Sequence, residues 1–191
     1  MQEILLYGRG GHGAVIASEL IARAGYFEGK YSQAFPFFGG ERRGAPVRSF
    51  ARIDDKPITL HSQIYNADII MVLDKELLKL AKEEISINMI KKNGTILFNA
   101  SDKSDIEEYV KAMPDAKFAY VDAISIAQEL NLVVAGWPVI NTAMLGALAK
   151  ASNVISIDSA KKAIADYWPK PLADKNIAAA EKGYENCNVL R

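Results

Sequence analysis

Residues 4–22 of the chain read ILLYGRGGHGAVIASELIA, and they decide its fold class. The first four residues are apolar and favour a β-strand, whereas the last nine repeat apolar and small residues at helical spacing. A glycine-rich segment, Gly8 to Gly13, joins the two. The stretch therefore predicts a strand, a tight turn and a helix, which is the opening unit of an α/β fold.

The same alternation of strand and helix returns farther along the chain. Apolar strands are predicted at residues 69–73, 94–98 and 117–121, and helices at 75–89, 104–112 and 124–130. Two more helices, 159–167 and 174–184, follow near the carboxyl terminus. Because such alternation indicates a parallel sheet covered on both faces, we expect one doubly wound, three-layer α/β domain over residues 1–191. Its sheet is mostly parallel, and residues 159–191 form a helical extension.

Residues 30–60 depart from this alternation. A second strand is predicted at 30–35, followed by a loop at 35–46 that is too rich in glycine and proline for a helix. Residues 47–53 alternate apolar and polar side chains, and Asp54-Asp55-Lys56-Pro57 marks a turn before 58–60. This pattern predicts an antiparallel hairpin at the edge of the sheet.

The segment between Glu129 and Lys150 contains no charged residue and is long enough to span a membrane. Its interior argues against a span, because Gly136-Trp137-Pro138 interrupts it and a proline breaks a helix or opens one. We predict a buried segment at 132–135, a turn at 136–137 and a helix from Pro138 to about Ala151. The expectation is a protein without membrane contact.

Composition excludes several classes of function. With 23 Lys and Arg against 23 Asp and Glu, the formal net charge is zero, so nothing drives the chain toward nucleic acid. The single Cys187 cannot form an internal disulfide, an iron–sulfur site or a structural zinc site, since each needs several ligands. Two histidines, His12 and His61, leave a Ser-His-Asp triad unsupported. We expect no catalytic residue and no metal ligand here.

The amino terminus lacks the basic and apolar regions of a secretory signal. The expected compartment is therefore the cytoplasm.

The turn after the first strand matches the dinucleotide fingerprint Gly8-x-Gly10-x-x-Gly13, with Gly11 as a further glycine. Backbone N–H groups at the start of the helix and the positive end of its dipole form a seat for a phosphate or pyrophosphate. Arg9 and His12 supply further donors at the rim.

The fingerprint is incomplete, because residues 33–36 lack the acidic side chain that would hold a ribose hydroxyl. The alternatives are a nicotinamide cofactor, a turn that binds nothing, another phosphate-bearing ligand, and the backbone of a partner chain.

Two further sets of residues are candidates for binding. The predicted loop combines aromatic and charged side chains that are typical of protein interfaces. Its candidates are Phe35, Phe37, Phe38, Glu41, Arg42, Arg43 and Gly44. A subunit contact is favoured there over a solvated loop or an anion site. Asn141, with Thr142, either hydrogen-bonds into the site at the glycine turn or caps a buried helix.

Motifs spread over nearly the whole chain carry a family resemblance. They are GRGGHG (8–13), FGGERRGAPVR (38–48), ADII (67–70), KNGTILFN (92–99), PVINTAMLGA (138–147) and DKNIAAAEKGY (174–184). Together they resemble the gamma subunit, or the corresponding domain, of the 2-oxoacid:ferredoxin oxidoreductases, of which pyruvate:ferredoxin oxidoreductase is a member. One departure is His12, where the family more often has glutamine.

The resemblance implies an anaerobic multi-subunit enzyme that oxidatively decarboxylates a 2-oxoacid, with pyruvate favoured, reduces ferredoxin and transfers the acyl group to coenzyme A. It implies alpha, beta and delta subunits as partners, which hold thiamine diphosphate, magnesium and [4Fe–4S] clusters. This chain would be inactive alone. Coenzyme A is the hypothesis for the loop from Gly8 to Gly13, together with Asn141. The alternatives are a free-standing NAD(P)-binding oxidoreductase and a purely structural scaffold subunit.

Overall fold

A computed structural model of the chain describes residues 1–37, 46–74, 76–77 and 89–190. Its strands are β1 (Gln2–Arg9), β2 (Tyr31–Phe37), β3 (Pro46–Asp54), β4 (Ala67–Val72), β5 (Ile90–Asn99), β6 (Lys117–Val121), β7 (Val133–Val134), β8 (Trp137–Pro138) and β9 (Asn188–Val189). The helices that the described residues complete are α1 (Ala14–Phe27), α2 (Glu107–Ala112), α3 (Ala123–Glu129), α4 (Asn141–Ser152), α5 (Ile157–Tyr167) and α6 (Leu172–Asn186). A 3₁₀ helix, Lys103–Ile106, precedes α2.

The main sheet has the strand order β2-β3-β1-β4-β5-β6-β9. Its four central strands, β1, β4, β5 and β6, are parallel. Antiparallel strands flank them, with β3 and β2 on one side and β9 on the other. The predicted α/β class is therefore confirmed, with a parallel centre, an antiparallel hairpin at one edge and carboxyl-terminal helices.

The hairpin is formed by other residues than the sequence predicts. Strand β3 pairs with β2 and β1, and residues 58–60 form no strand. Residues 35–37, predicted as the start of a loop, lie in β2. Because β3 lies between two strands and is buried along most of its length, its side chains face two packed surfaces. Pro57 also lacks the N–H group that a returning strand needs.

The two faces of the sheet carry separate hydrophobic cores, since successive side chains of a strand point to opposite faces. On one face Leu6 and Leu97 pack with Leu20 of α1 and with residues of α3 to α6. On the other face Ile70 and Phe98 pack with residues of the 3₁₀ helix and α2. These cores give the predicted three layers.

The chain leaves β1 and β4 toward opposite faces of the sheet. Leu20 of α1, which follows β1, belongs to one core, whereas Leu77, which follows β4, belongs to the other. The connections therefore diverge between these neighbouring strands. In open α/β sheets such a topological switch point leaves a crevice at the carboxyl ends of the strands, where ligands bind.

Residues 130–149 are only partly buried, which corrects the predicted buried segment at 132–135. Val133 and Val134 are 47% and 65% exposed and pair with β8 in a two-stranded ladder. Its turn is built on Ala135 and Gly136, both with positive φ. Helix α4 begins at Asn141 and not at Pro138, because Pro138 takes part in that ladder.

Helices α4, α5 and α6 complete the layer that contains α1. Helix α4 is buried from Asn141 to Ala149, and α6 packs directly against it. Near the carboxyl terminus β9 adds to the edge of the sheet beside β6, which the sequence did not predict. No helix in the described ranges has the length and apolar character to cross a membrane. The predicted helix 75–89 falls largely outside the described residues. Glu76 and Leu77, which are described, are helical.

Candidate functional site

The switch-point crevice lies between the ends of β1 and β4. Gly8 and Arg9 belong to β1, so the turn itself is shorter than the glycine motif suggests and spans residues 10–13. The N–H of Leu73 donates to the carbonyl of Tyr7 over 2.8 Å and holds the two strand ends together. A Cβ on Gly8 would lie 3.2 Å from the Cβ of Leu73. Glycine at position 8 thus permits this close approach.

Two glycines of the turn have backbone φ angles that residues with a side chain rarely adopt. Gly11 has φ +109° and Gly13, the residue before α1, has φ +81°. No side chain caps α1, and its first helical hydrogen bond runs from the N–H of Ala17 to the carbonyl of Gly13. The amides of residues 14–16 therefore have no acceptor within the helix. These free amides and the positive end of the α1 dipole favour the binding of an anion at the amino-terminal end of the helix.

Asn141 lies directly against this turn, although it is far away in sequence. A Cβ on Gly13 would be 2.8 Å from the Nδ2 atom of Asn141. Asn141 is fully buried, and its Oδ1 accepts a hydrogen bond from the N–H of Thr142 over 2.8 Å. Its Nδ2 is buried and has no hydrogen-bond partner in the described part of the chain. The structure brings Asn141 to the glycine turn, and its role in binding stays a prediction.

Arg9 is held at the crevice by an ion pair. Its Nε lies 2.5 Å from the Oδ2 of Asp74, whose Oδ1 accepts from the N–H of Glu76 over 2.9 Å. The guanidinium charge is therefore partly balanced before any anion binds. Sequence reasoning missed Asp74, although a carboxylate directly after the neighbouring parallel strand must lie at the same edge of the sheet.

His12 belongs to the glycine turn, and its ring faces Trp137 of the β7–β8 ladder. The centre of its ring is 5.8 Å from that of the exposed Trp137. Its Nδ1 is buried, and none of the described residues is its hydrogen-bond partner. Burial lowers the pKa of His12, with Arg9 acting in the same direction and Asp74 opposing it. The imidazole is therefore neutral at pH 7. One of its ring nitrogens can then donate a hydrogen bond and the other can accept one.

A cavity of about 330 Å³ opens beside the turn. Its walls include Gly11 and Gly13 of the turn, the start of α4, β7 and the first turn of α6. Sequence reasoning missed Trp168, Lys175 and Asn176 in this lining, since they come more than 150 residues after the turn. Lys175 and Asn176 belong to the DKNIAAAEKGY motif, which indicated the family but not a place in the site.

The candidate interface is only partly described. Phe35 is half-buried, and its ring stacks on that of Phe50 with 5.1 Å between the ring centres. Phe37, at the end of β2, is 41% exposed. Residues Phe38, Glu41, Arg42, Arg43 and Gly44 lie outside the described residues. Contact of this region with a partner stays a prediction.

No group of three histidine, cysteine, aspartate or glutamate residues in the described ranges is placed to hold a metal ion.

Comparison with known proteins identifies relatives that extend over the whole chain. The family model described as pyruvate ferredoxin/flavodoxin oxidoreductase matches residues 3–186. A relative from Thermococcus litoralis, the common subunit gamma of pyruvate/ketoisovalerate oxidoreductases, is 46% identical over 191 residues, covering 99% of this chain and 98% of its own length. Pyruvate synthase subunit PorC from Methanocaldococcus jannaschii is 46% identical over 187 residues, with 96% of each chain covered.

A solved structure has the same fold. The crystal structure of pyruvate oxidoreductase subunit PORC from Thermotoga maritima superposes with a TM-score of 0.80 at 31% sequence identity. The superposition covers 100% of this chain and 98% of that one. The fold described above is thus shared with a solved relative over the length of this chain.

Proposed function

Because the chain belongs to the pyruvate ferredoxin/flavodoxin oxidoreductase family, as its motifs predicted, we propose that it is the gamma subunit of a pyruvate:ferredoxin oxidoreductase complex. That complex oxidatively decarboxylates pyruvate, or a related 2-oxoacid, to acetyl-CoA and CO₂ and passes the electrons to ferredoxin. The observation that carries the proposal is end-to-end similarity, at 46% identity, to relatives named as gamma or PorC subunits.

The subunit is not catalytic alone. Thiamine diphosphate with magnesium and the [4Fe–4S] clusters belong to alpha, beta and delta subunits. The reaction at the carbonyl group and the electron transfer therefore take place on those subunits. One cysteine in 191 residues supports this division, since a cluster needs several thiolates. The chain supplies shape, subunit contacts and a binding surface.

Coexpression with candidate partner subunits, followed by capture through a tag on this chain, tests the assignment. We expect the captured complex to contain iron and thiamine diphosphate and to reduce ferredoxin with pyruvate and coenzyme A. The chain captured alone is expected to be colourless and inactive. A nicotinamide-dependent activity of the chain alone would instead support a free-standing oxidoreductase.

Coenzyme A is the proposed ligand at the glycine turn. The free amides of residues 14–16 and the dipole of α1 suit its pyrophosphate. Lys175 at the cavity wall adds a positive charge on the same side of the turn. The unpartnered Nδ2 of Asn141 beside Gly13 supports a bound group at this place. When bound, coenzyme A supplies the thiol that accepts the acyl group.

The strand arrangement favours coenzyme A over a dinucleotide. In a dinucleotide-binding fold, an acidic residue at the end of the second strand holds a ribose hydroxyl beside the glycine turn. Here β3 separates β2 from β1, and residues 33–36 carry no carboxylate. The ribose contact of a nicotinamide cofactor is therefore missing.

Charge reversal at the cavity mouth tests the coenzyme A site. Lys175→Glu in the assembled complex is expected to weaken coenzyme A binding about tenfold, because it replaces an attractive charge by a repulsive one near the phosphates. Lys162→Glu, an equal change at an exposed position of α5, is the control and should leave the affinity unchanged. Titration calorimetry gives both values. Normal assembly with unchanged affinity in both variants would favour the scaffold alternative.

A further inference from the structure

The cavity beside the glycine turn differs in chemistry from the phosphate seat. Among its described lining residues, Lys175 is the one charged side chain, and it is exposed. Most of the remaining wall is apolar, with Ile16, Val139 and Trp168 among its members. Its volume of about 330 Å³ lies at the lower end of the range of small-molecule pockets, about 300–1,000 Å³. Such a cavity suits an uncharged, largely apolar group.

Asn141, which lines this cavity, has one polar atom without a partner among the described residues. The Nδ2 group of Asn141 is buried and has no acceptor within the described ranges, whereas the Oδ1 of the same side chain already accepts from the N–H of Thr142. The neighbouring Asn176 is satisfied, since its Oδ1 accepts from Thr142 Oγ1 over 3.0 Å and its Nδ2 donates to the carbonyl of Leu172. A buried donor left unpaired is costly. The missing partner is an acceptor, such as a carbonyl oxygen.

Resting on the proposed function, we propose that this cavity binds the pantetheine arm of coenzyme A, with an amide carbonyl of the arm accepting a hydrogen bond from Asn141 Nδ2. The arm is neutral throughout and combines methyl and methylene groups with two amides, as the wall requires. The adenosine end fits less well, because its base, ribose and charged 3′-phosphate would have to be buried against a largely apolar wall.

Connectivity also favours the arm. The arm is joined directly to the pyrophosphate, and Gly11 and Gly13 contribute both to the turn proposed for the phosphates and to the wall of the cavity. A ligand with its pyrophosphate on the turn can therefore continue into the cavity without crossing another element. The exposed Val133 and Val134 of β7 line the same cavity and offer apolar contacts.

Calorimetric titration of the assembled complex with coenzyme A, pantetheine and adenosine 3′,5′-bisphosphate tests this placement. Asn141→Leu removes the donor, keeps a side chain of the same size and adds no charge beside the glycine turn. Val139→Phe fills part of the cavity and leaves the Asn141 side chain unchanged. Each variant is expected to weaken coenzyme A and pantetheine at least tenfold and to leave adenosine 3′,5′-bisphosphate unchanged. Val189→Phe, the same enlargement on exposed β9, should bind all three normally.

The outcomes separate the two proposals. Pantetheine affinity unchanged in Val139→Phe, measured on a variant with native thermal stability, overturns the placement but leaves coenzyme A binding at the turn intact. Losses confined to adenosine 3′,5′-bisphosphate would place the adenosine end in the cavity and likewise overturn it. If the native complex binds no coenzyme A, the ligand assignment of the proposed function fails as well.

Discussion

At the scale of single residues, the glycine turn stands out because buried polar atoms near it lack partners. Elsewhere in the described residues large buried polar groups are paired. Arg52, only 1% exposed, donates to Glu3 and to the carbonyl of Ser62, and its guanidinium stacks on Phe35. His12 Nδ1 and Asn141 Nδ2 are the two buried side-chain atoms there without a partner. One belongs to the glycine turn and the other lies against Gly13, which supports a binding site at this turn.

The protonation of His12 gives a test at the same scale. Its pKa is lowered by burial, so below about pH 6.5 the unfolded chain binds a proton that the folded chain does not. The stabilising contribution of the neutral imidazole is present above that pH and is lost as the pH falls toward the lowered pKa. We expect the free energy of unfolding to fall less between pH 7 and pH 5 in His12→Gln than in the native chain. Urea titrations over this range measure it.

The same substitution leaves His61 in place, so the two proteins differ only in the residue of interest. An identical pH dependence of unfolding in both would show that His12 is not held neutral by its surroundings. The pH dependence of the chemical shifts of its ring protons, followed by nuclear magnetic resonance, would give the pKa of His12 directly.

At the scale of elements, α4 and α6 pack with their backbones in close approach. A Cβ on Gly146 of α4 would lie 1.8 Å from the carbonyl oxygen of Ala180, and one on Gly183 of α6 would lie 2.0 Å from that of Ala143. Both helices carry glycine where the other crosses. This crossing places the first turn of α6 beside Asn141 and so forms one wall of the cavity.

Gly146→Ala is expected to destabilise the chain by about 3 kcal/mol, because the added methyl group must push the two helices apart. Urea unfolding measures the loss. Ala165→Ser adds one heavy atom at an exposed position of α5 and should change stability by less than about 0.5 kcal/mol. A Gly146→Ala protein as stable as this control would contradict the close approach of α4 and α6.

At the scale of the whole molecule, the two ends of the sheet have different surroundings. Strand β9 covers one edge, whereas β2 forms the other and leads into the segment proposed as a subunit contact. Phe37 is exposed at the end of β2, directly before that segment. Aromatic and arginine side chains together are frequent at the centres of protein interfaces. The exposed Phe37 is therefore accessible to a partner at this edge of the sheet.

The double substitution Arg42→Ala/Arg43→Ala is expected to lower the fraction of chain captured with partner subunits at least tenfold, since each arginine is proposed to bind the partner. Size-exclusion chromatography of the coexpressed proteins measures it. Arg23→Ala removes an exposed guanidinium, paired with Asp166, from the surface between α1 and α5 and serves as the control. Native assembly of the double variant would move the interface away from residues 35–44.

The sequence by itself determined the strand–turn–helix opening, the parallel centre of the sheet, the family and most of the glycine turn. The fold elements depend on local periodicity and glycine spacing, whereas the family was identified from motifs spread over the chain. The helices at 104–112 and 124–130 and the strand at 117–121 were placed correctly, within a residue or two, for the same reason. Gly13 and Asn141 entered the candidate site through separate motifs.

Only the tertiary structure decided which strand β3 pairs with, which side of the uncharged segment faces outward, and what surrounds Gly13. An alternating strand looks the same in sequence whether its partner is β2 or a later segment, because pairing is a long-range choice. Val133 and Val134 are as apolar as core residues, yet the ladder with Trp137 and Pro138 holds them outside. The cavity exists because α6 returns to Asn141, and no local pattern records where a distant helix packs.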